Sequence, residues 1–153
     1  TAELGAALAE SIPAGTTVGL NGPLGAGKTR LVQAIAAGLG VAPGAAVSPT
    51  FVLVQEYHGA RAIVHIDAYR IHDEDEFLAF GAEEYFNSEA LLLIEWSGRV
   101  KGCLPADRLQ IEIEETGVSS RRFIVSALGP RCERILDGLA DRLSDSKKSE
   151  GPP

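Results

Sequence analysis

The stretch Gly22-Pro23-Leu24-Gly25-Ala26-Gly27-Lys28-Thr29 confines this chain more tightly than any other. It fits G-x-x-x-x-G-K-[ST], a phosphate-binding loop in which each fixed position has a physical task. Gly22 and Gly27 permit positive φ and let the backbone approach a ligand where a Cβ would clash. The N–H groups of the loop then point at an anion, helped by the positive end of the helix that follows. Lys28 supplies a mobile ammonium for the β- and γ-phosphates. Thr29 offers a hydroxyl to Mg²⁺, a cation that prefers hard oxygen ligands.

The neighbouring residues supply the setting this motif requires. Thr16-Thr17-Val18-Gly19-Leu20 is short, β-branched and apolar, the pattern of a buried parallel strand. Downstream, Leu31, Val32, Ile35, Ala36 and Leu39 recur at helical spacing, and Gly38 and Gly40 stop the run. Strand, glycine loop and helix in that order exclude a chance Gly-rich turn.

With 153 residues, one domain can bury a sizeable core. The domain is expected to span residues 1–143, with 144–153 a polar, disordered tail ending in Gly-Pro-Pro. No apolar run approaches the roughly 20 residues of a membrane span, and no signal-peptide pattern opens the chain. The first residue is Thr1 rather than Met, which leads us to expect a trimmed N-terminus. A net charge of −7 argues against gripping nucleic acid through this chain's own surface. Any role near RNA would then run through a partner. Cys103 and Cys132 form no metal-ligand pattern, which fits two small hydrophobes in a reduced, cytoplasmic setting.

The rest of the chain predicts a mixed α/β sheet with flanking helices. Thr1–Glu10 reads as a short amphipathic helix. Val52–Tyr57 and Arg61–Ile66 are two strands around a turn at His58-Gly59-Ala60, hence a hairpin and some antiparallel pairing. The acidic run Asp73–Glu76 is read as a helix N-terminus complementing the dipole rather than a metal site. A second short helical piece covers Gly81–Phe86. Ala90–Ile94 is apolar on both faces and ends in Glu95. A loop is expected over Gly98–Ala106, then strands over Leu109–Glu114 and Arg121–Ala127, then an amphipathic helix over Arg131–Leu143.

A phosphate loop that turns over also needs a metal-side carboxylate and a group that orients water or an acceptor. Glu95 follows a fully apolar strand, which puts it at the carboxyl edge of the sheet where open α/β folds bind ligands. Its alternative is a surface Glu that happens to end a strand. Thr50, held extended by Pro49, is a candidate to sense the γ-phosphate through the metal. Asp67 is a candidate to accept a hydrogen bond from the attacking or a metal-bound water, or else caps the next helix. Lys28, Thr50 and Asp67 are therefore the expected catalytic set, and Thr29 with Glu95 the metal set. His65 shares the strand face of Asp67 and reads as a packed side chain. Trp96 packs beside a nucleotide or serves as a core or interface aromatic.

Four motifs in order, Gly22–Thr29, Ser48-Pro49-Thr50-Phe51, His65-Ile66-Asp67-Ala68-Tyr69-Arg70 and Ile94-Glu95-Trp96, resemble those of the TsaE (YjeE) family. That family comprises the ATPases of bacterial tRNA threonylcarbamoyladenosine formation, and the likeness runs from Thr1 to the Arg121 strand. The resemblance implies ATP as cofactor, with phosphates cradled by Gly25, Ala26, Gly27, Lys28 and Thr29; Gly22 and Arg30 flank that run and are counted with the expected ATP-binding residues. It implies Mg²⁺ on Thr29 and Glu95, a switch-like segment containing Thr50, turnover dependent on Asp67, and Thr1 and Arg121 near base and ribose. It further implies partnership with TsaB and TsaD, with tRNA reached only through that complex and no membrane involved. Pro23, Arg30 and Ala68 depart from the usual residues at those positions without removing a proposed ligand. Two other readings remain: a nucleotide-gated binding module with incidental turnover, and a small-molecule kinase, for which no basic helical lid is apparent. No Asn-Lys-x-Asp guanine-reading motif occurs, so ATP is favoured over GTP.

Overall fold

A computed structural model describes residues 1–46 and 53–149. One six-stranded sheet has the order β2-β3-β4-β1-β5-β6. Its strands are β1 (Thr17–Asn21), β2 (Val54–His58), β3 (Ala62–Asp67), β4 (Leu91–Glu95), β5 (Arg108–Glu115) and β6 (Arg121–Leu128). The inner strands β3, β4, β1 and β5 run parallel to their neighbours, while β2 and β6 pair antiparallel at the two edges. The mixed sheet and the β2–β3 hairpin agree with the sequence expectation.

Helices cover the sheet unequally. On one face lie α1 (Ala2–Ser11), α2 (Lys28–Gly38) and α5 (Pro130–Ser149), joined in a core with Leu8, Leu31, Ile35 and Leu139 against Val18, Leu20, Leu93 and Ile111. On the other, α3 (Glu74–Ala79), α4 (Ala82–Phe86) and a 3-10 helix (Ser97–Cys103) close over Val64, Ile66, Leu92 and Ile94 through Phe77 and Val100. β4 donates to both cores, Leu91 and Leu93 to one and Leu92 and Ile94 to the other. That is why its sequence is apolar without alternation. The same two-residue period puts Ile63, His65 and Asp67 on the α2 side of β3, and Glu95 on the α2 side of β4.

Asp73 caps α3 by accepting from the N–H of Glu76 at 2.8 Å, so the acidic run does serve as a helix start. Two expectations need correction. The stretch after Gly98 is a 3-10 helix rather than a loop, held from outside: the Asn21 side chain accepts from Gly98 N–H, and Glu74 from Gly102 N–H. Short 3-10 pieces carry no apolar period that a sequence reading could detect. In addition, α5 runs from Pro130 through Ser149, so residues 144–149 are helical rather than a disordered tail. Pro130 suits a first helical position. Past Leu143 the helix continues with Ser144 and Ser146 hydroxyls donating one turn back, to Ala140 and Arg142 carbonyls. Residues 150–153 lie outside the described residues. Among the described residues, no helix is long and apolar enough to cross a membrane.

Candidate active site

The phosphate-type loop leaves the carboxyl end of β1 and enters α2. Gly27 is the N-cap of α2 at φ 108°, a left-handed conformation that costs a glycine nothing. A Cβ on Gly22 would sit 2.6 Å from the carbonyl oxygen of Ile113, so the loop passes too close to β5 for any side chain there. Ala26 is buried, and its N–H donates to the Pro23 carbonyl at 3.0 Å, folding the loop back on itself. The loop borders a cleft of about 470 Å³ at the carboxyl ends of β1, β3 and β4.

Lys28 is almost wholly buried. Its ammonium donates to the carbonyls of Gly22 at 2.7 Å and Pro23 at 2.9 Å, and lies 4.0 Å from the centre of the Trp96 ring. Trp96 is the one non-glycine residue at positive φ among the described residues (φ 59°). Strain of that kind persists where the surroundings over-determine it. Here the N–H of Trp96 donates to the Leu20 carbonyl, the Tyr69 ring packs against the Trp96 ring at a tilt of 48° with centres 4.9 Å apart, and Lys28 covers it. Desolvation lowers the Lys28 pKa below its ordinary value, against the opposing pull of Glu95 and Asp67.

Beside Lys28, the Thr29 hydroxyl donates to Oε1 of Glu95 at 2.7 Å. The two residues are 66 positions apart in sequence, and the parallel pairing of β1 with β4 joins them, with Leu20 level with Glu95. Glu95 is buried, so it is no surface residue that merely ends a strand. A second contact reaches the same oxygen: His65 Nε2 lies 2.8 Å from Oε1, and the Tyr57 hydroxyl lies 3.1 Å from His65 Nδ1. A hydroxyl and a carboxylate facing one cleft form an all-oxygen donor set, which suits a hard divalent cation.

Asp67 stands level with Glu95 on the adjacent strand and lines the cleft. Its Oδ1 accepts from Tyr69 N–H at 2.9 Å, a turn at the strand end; the cap of the next helix is Asp73. Burial raises the Asp67 pKa; the Tyr69 N–H opposes this, and the neighbouring Glu95 charge adds to it.

The structure thus gathers Gly25, Gly27, Lys28, Thr29, Arg30, Asp67 and Glu95 around one cleft. Thr1 and Arg121 do not line it. Thr1 caps α1. Arg121 donates through Nε to the Ala26 carbonyl and through a terminal nitrogen to the carbonyls of Gly117 and Ser120, tying the loop to the β5–β6 turn. Thr50 lies outside the described residues. Sequence reasoning missed the contact of His65 with Glu95, and the cleft-lining Arg70. The strand period of Ile63-Val64-His65-Ile66-Asp67, set against that of Leu91–Glu95, is the signal that could have found the first.

Comparison with known proteins supplies the family. The family described as "Threonylcarbamoyl adenosine biosynthesis protein TsaE" matches residues 1–123. The chain belongs to the TsaE family. The TsaE protein of Bacillus subtilis is 39% identical over 127 residues, 82% of this chain and 78% of that one. That of Streptomyces coelicolor is 39% identical over 140 residues, 84% of this chain and 91% of its relative. Among solved structures, Bacillus subtilis YdiB superposes with a TM-score of 0.76 at 31% identity, covering 92% of this chain and 87% of that one. TsaE membership places the chain in tRNA threonylcarbamoyladenosine biosynthesis.

Proposed function

We propose that this chain is a Mg²⁺-dependent ATPase that supports threonylcarbamoylation of adenosine 37 in tRNA by binding and resetting a TsaB–TsaD complex in the cytoplasm. The observation that carries the reading is the contact of Thr29 with Glu95 at 2.7 Å beside a phosphate-binding loop. Such a pair is what a Mg²⁺·nucleotide site requires of the protein. Thr29 and Glu95 would hold the metal, which when bound supplies positive charge at the phosphate oxygens.

The remaining roles follow from this chain's own groups. Loop N–H groups and the start of α2 receive the phosphates. Lys28 exchanges the carbonyls of Gly22 and Pro23 for phosphate oxygens, staying in the same desolvated corner where a charge interacts strongly. Asp67 sits at the cleft wall as a carboxylate with a raised affinity for protons, suited to accept a hydrogen bond from water. The negative balance of the chain favours reaching tRNA through partners.

Phosphate release from Mg·ATP, alone and with purified TsaB and TsaD, tests the proposal, with Glu95→Ala as control. Slow turnover that the partners raise and the substitution abolishes is the expected result. Turnover indifferent to the partners removes the proposed place of the ATPase in the complex. Tight ATP binding without turnover in either condition replaces the ATPase with a nucleotide-gated module.

A further inference from the structure

His65 is fully buried at the centre of β3, with a polar atom of another side chain on each ring nitrogen. A buried imidazole next to a carboxylate is oriented by the hydrogen bonds it makes, and it orients its partner in return. An ionised carboxylate only accepts, so Nε2 must carry the proton that reaches Oε1 of Glu95. Thr29 donates to that same oxygen. Among the described residues, both side-chain donors meet on Oε1, and Oε2 is the oxygen left for a ligand in the cleft that Glu95 lines.

We propose that His65, backed by Tyr57, is a positioning residue that fixes the Glu95 carboxylate in the rotamer a cation in the cleft requires. Tyr57 lies on β2, His65 on β3 and Glu95 on β4, so three adjacent strands hold one carboxylate through side chains on the α2 face of the sheet. Without the imidazole donor, the Thr29 hydroxyl is the one side-chain donor that the Glu95 carboxylate keeps among the described residues. That hydroxyl is itself a proposed metal ligand and cannot fix the carboxylate independently of the metal. The metal side of this inference rests on the ATPase reading.

Two measurements test it. The nitrogen-15 spectrum of the imidazoles in ligand-free protein reads the His65–Glu95 bond directly: a proton on Nε2 is expected, and a proton on Nδ1 alone overturns the proposal. Binding of a fluorescent ADP analogue across a Mg²⁺ titration reads the consequence. His65→Leu should raise the Mg²⁺ concentration required by about 10- to 100-fold, the usual loss for a group behind a metal ligand, with Mg²⁺-free nucleotide affinity unchanged. His65→Gln, whose amide reaches the place of Nε2, should remain close to wild type. His65→Asn, whose amide reaches only the place of Nδ1, should not. Equal Mg²⁺ response in the Gln and Asn variants, or a wild-type response in a folded Leu variant, overturns the positioning role. Wild-type binding with no Mg²⁺ dependence overturns the ATPase reading, and the metal role of His65 with it, whatever the imidazole spectrum shows.

Discussion

Asp67 sets stability against chemistry at a single side chain. Burial makes its carboxyl hold a proton more tightly in the folded, metal-free protein than in the unfolded chain. Stability from this group is therefore fully present below the unfolded value of about 3.9 and falls as pH rises through the higher folded value. Above that value the ionised Asp67 opposes folding. Asp67→Asn keeps an oxygen to accept from Tyr69 N–H and removes the charge. The variant should be more stable than wild type at neutral pH, and the gain should shrink as the medium approaches about pH 4, near the unfolded carboxylate value. Urea denaturation of metal-free protein across that range measures it. ATP turnover of the variant should fall by about 10²–10⁴-fold, the range of a positioned proton-accepting group. An Asn variant less stable than wild type at neutral pH would show that the Asp67 charge supports the fold instead.

Two helical glycines of the same chemistry should respond with opposite sign, because one is packed and the other faces open space. Alanine is favoured over glycine by about 1 kcal/mol in a helix interior. On α5, a Cβ at Gly138 meets nothing, so Gly138→Ala should stabilise the protein by up to about that amount. On α1, a Cβ at Gly5 would overlap the Ala34 methyl and lie 2.8 Å from the Ala34 carbonyl carbon, and at the end of α2 a Cβ at Gly38 would lie 2.7 Å from Ala9 Cβ. The α1–α2 contact is built on these two missing side chains. Overpacking of about 1–3 kcal/mol outweighs propensity there, so Gly5→Ala should destabilise. Denaturant midpoints of the pair decide the matter, and a stabilised Gly5 variant would mean that α1 moves freely over α2. Elements of this kind mark the limit of what the chain alone discloses. The phosphate loop, β1, β4 and the hairpin were legible because each is specified by consecutive residues. Glu95 was legible as the polar end of an apolar strand. The Tyr57–His65–Glu95 chain was not, since it depends on the register of three strands. The 3-10 helix and the solvated end of α5 lack an apolar period and rest on distant side chains or on local serine bonds.

At the scale of the molecule, the cleft exists only when the sheet has assembled. Lys28 and Thr29 follow β1, Asp67 ends β3 and Glu95 ends β4, so the unfolded chain offers no comparable site. A ligand that needs all three strand ends binds the folded state alone and stabilises it by mass action. At about 100 times its dissociation constant the gain is about 2.7 kcal/mol. For a chain of this size that corresponds to a rise in Tm of about 5–10 °C. Mg·ATP should produce such a rise, and Lys28→Ala should cancel it. Because Lys28→Ala also leaves the carbonyls of Gly22 and Pro23 without their ammonium donor, the shift in the variant is read against its own ligand-free Tm. A shift that survives in Lys28→Ala would place the nucleotide elsewhere on the surface. No shift at all with Mg·ATP would leave Lys28, Thr29 and Glu95 as a structural tie between β1 and β4, and the phosphate loop without its ligand.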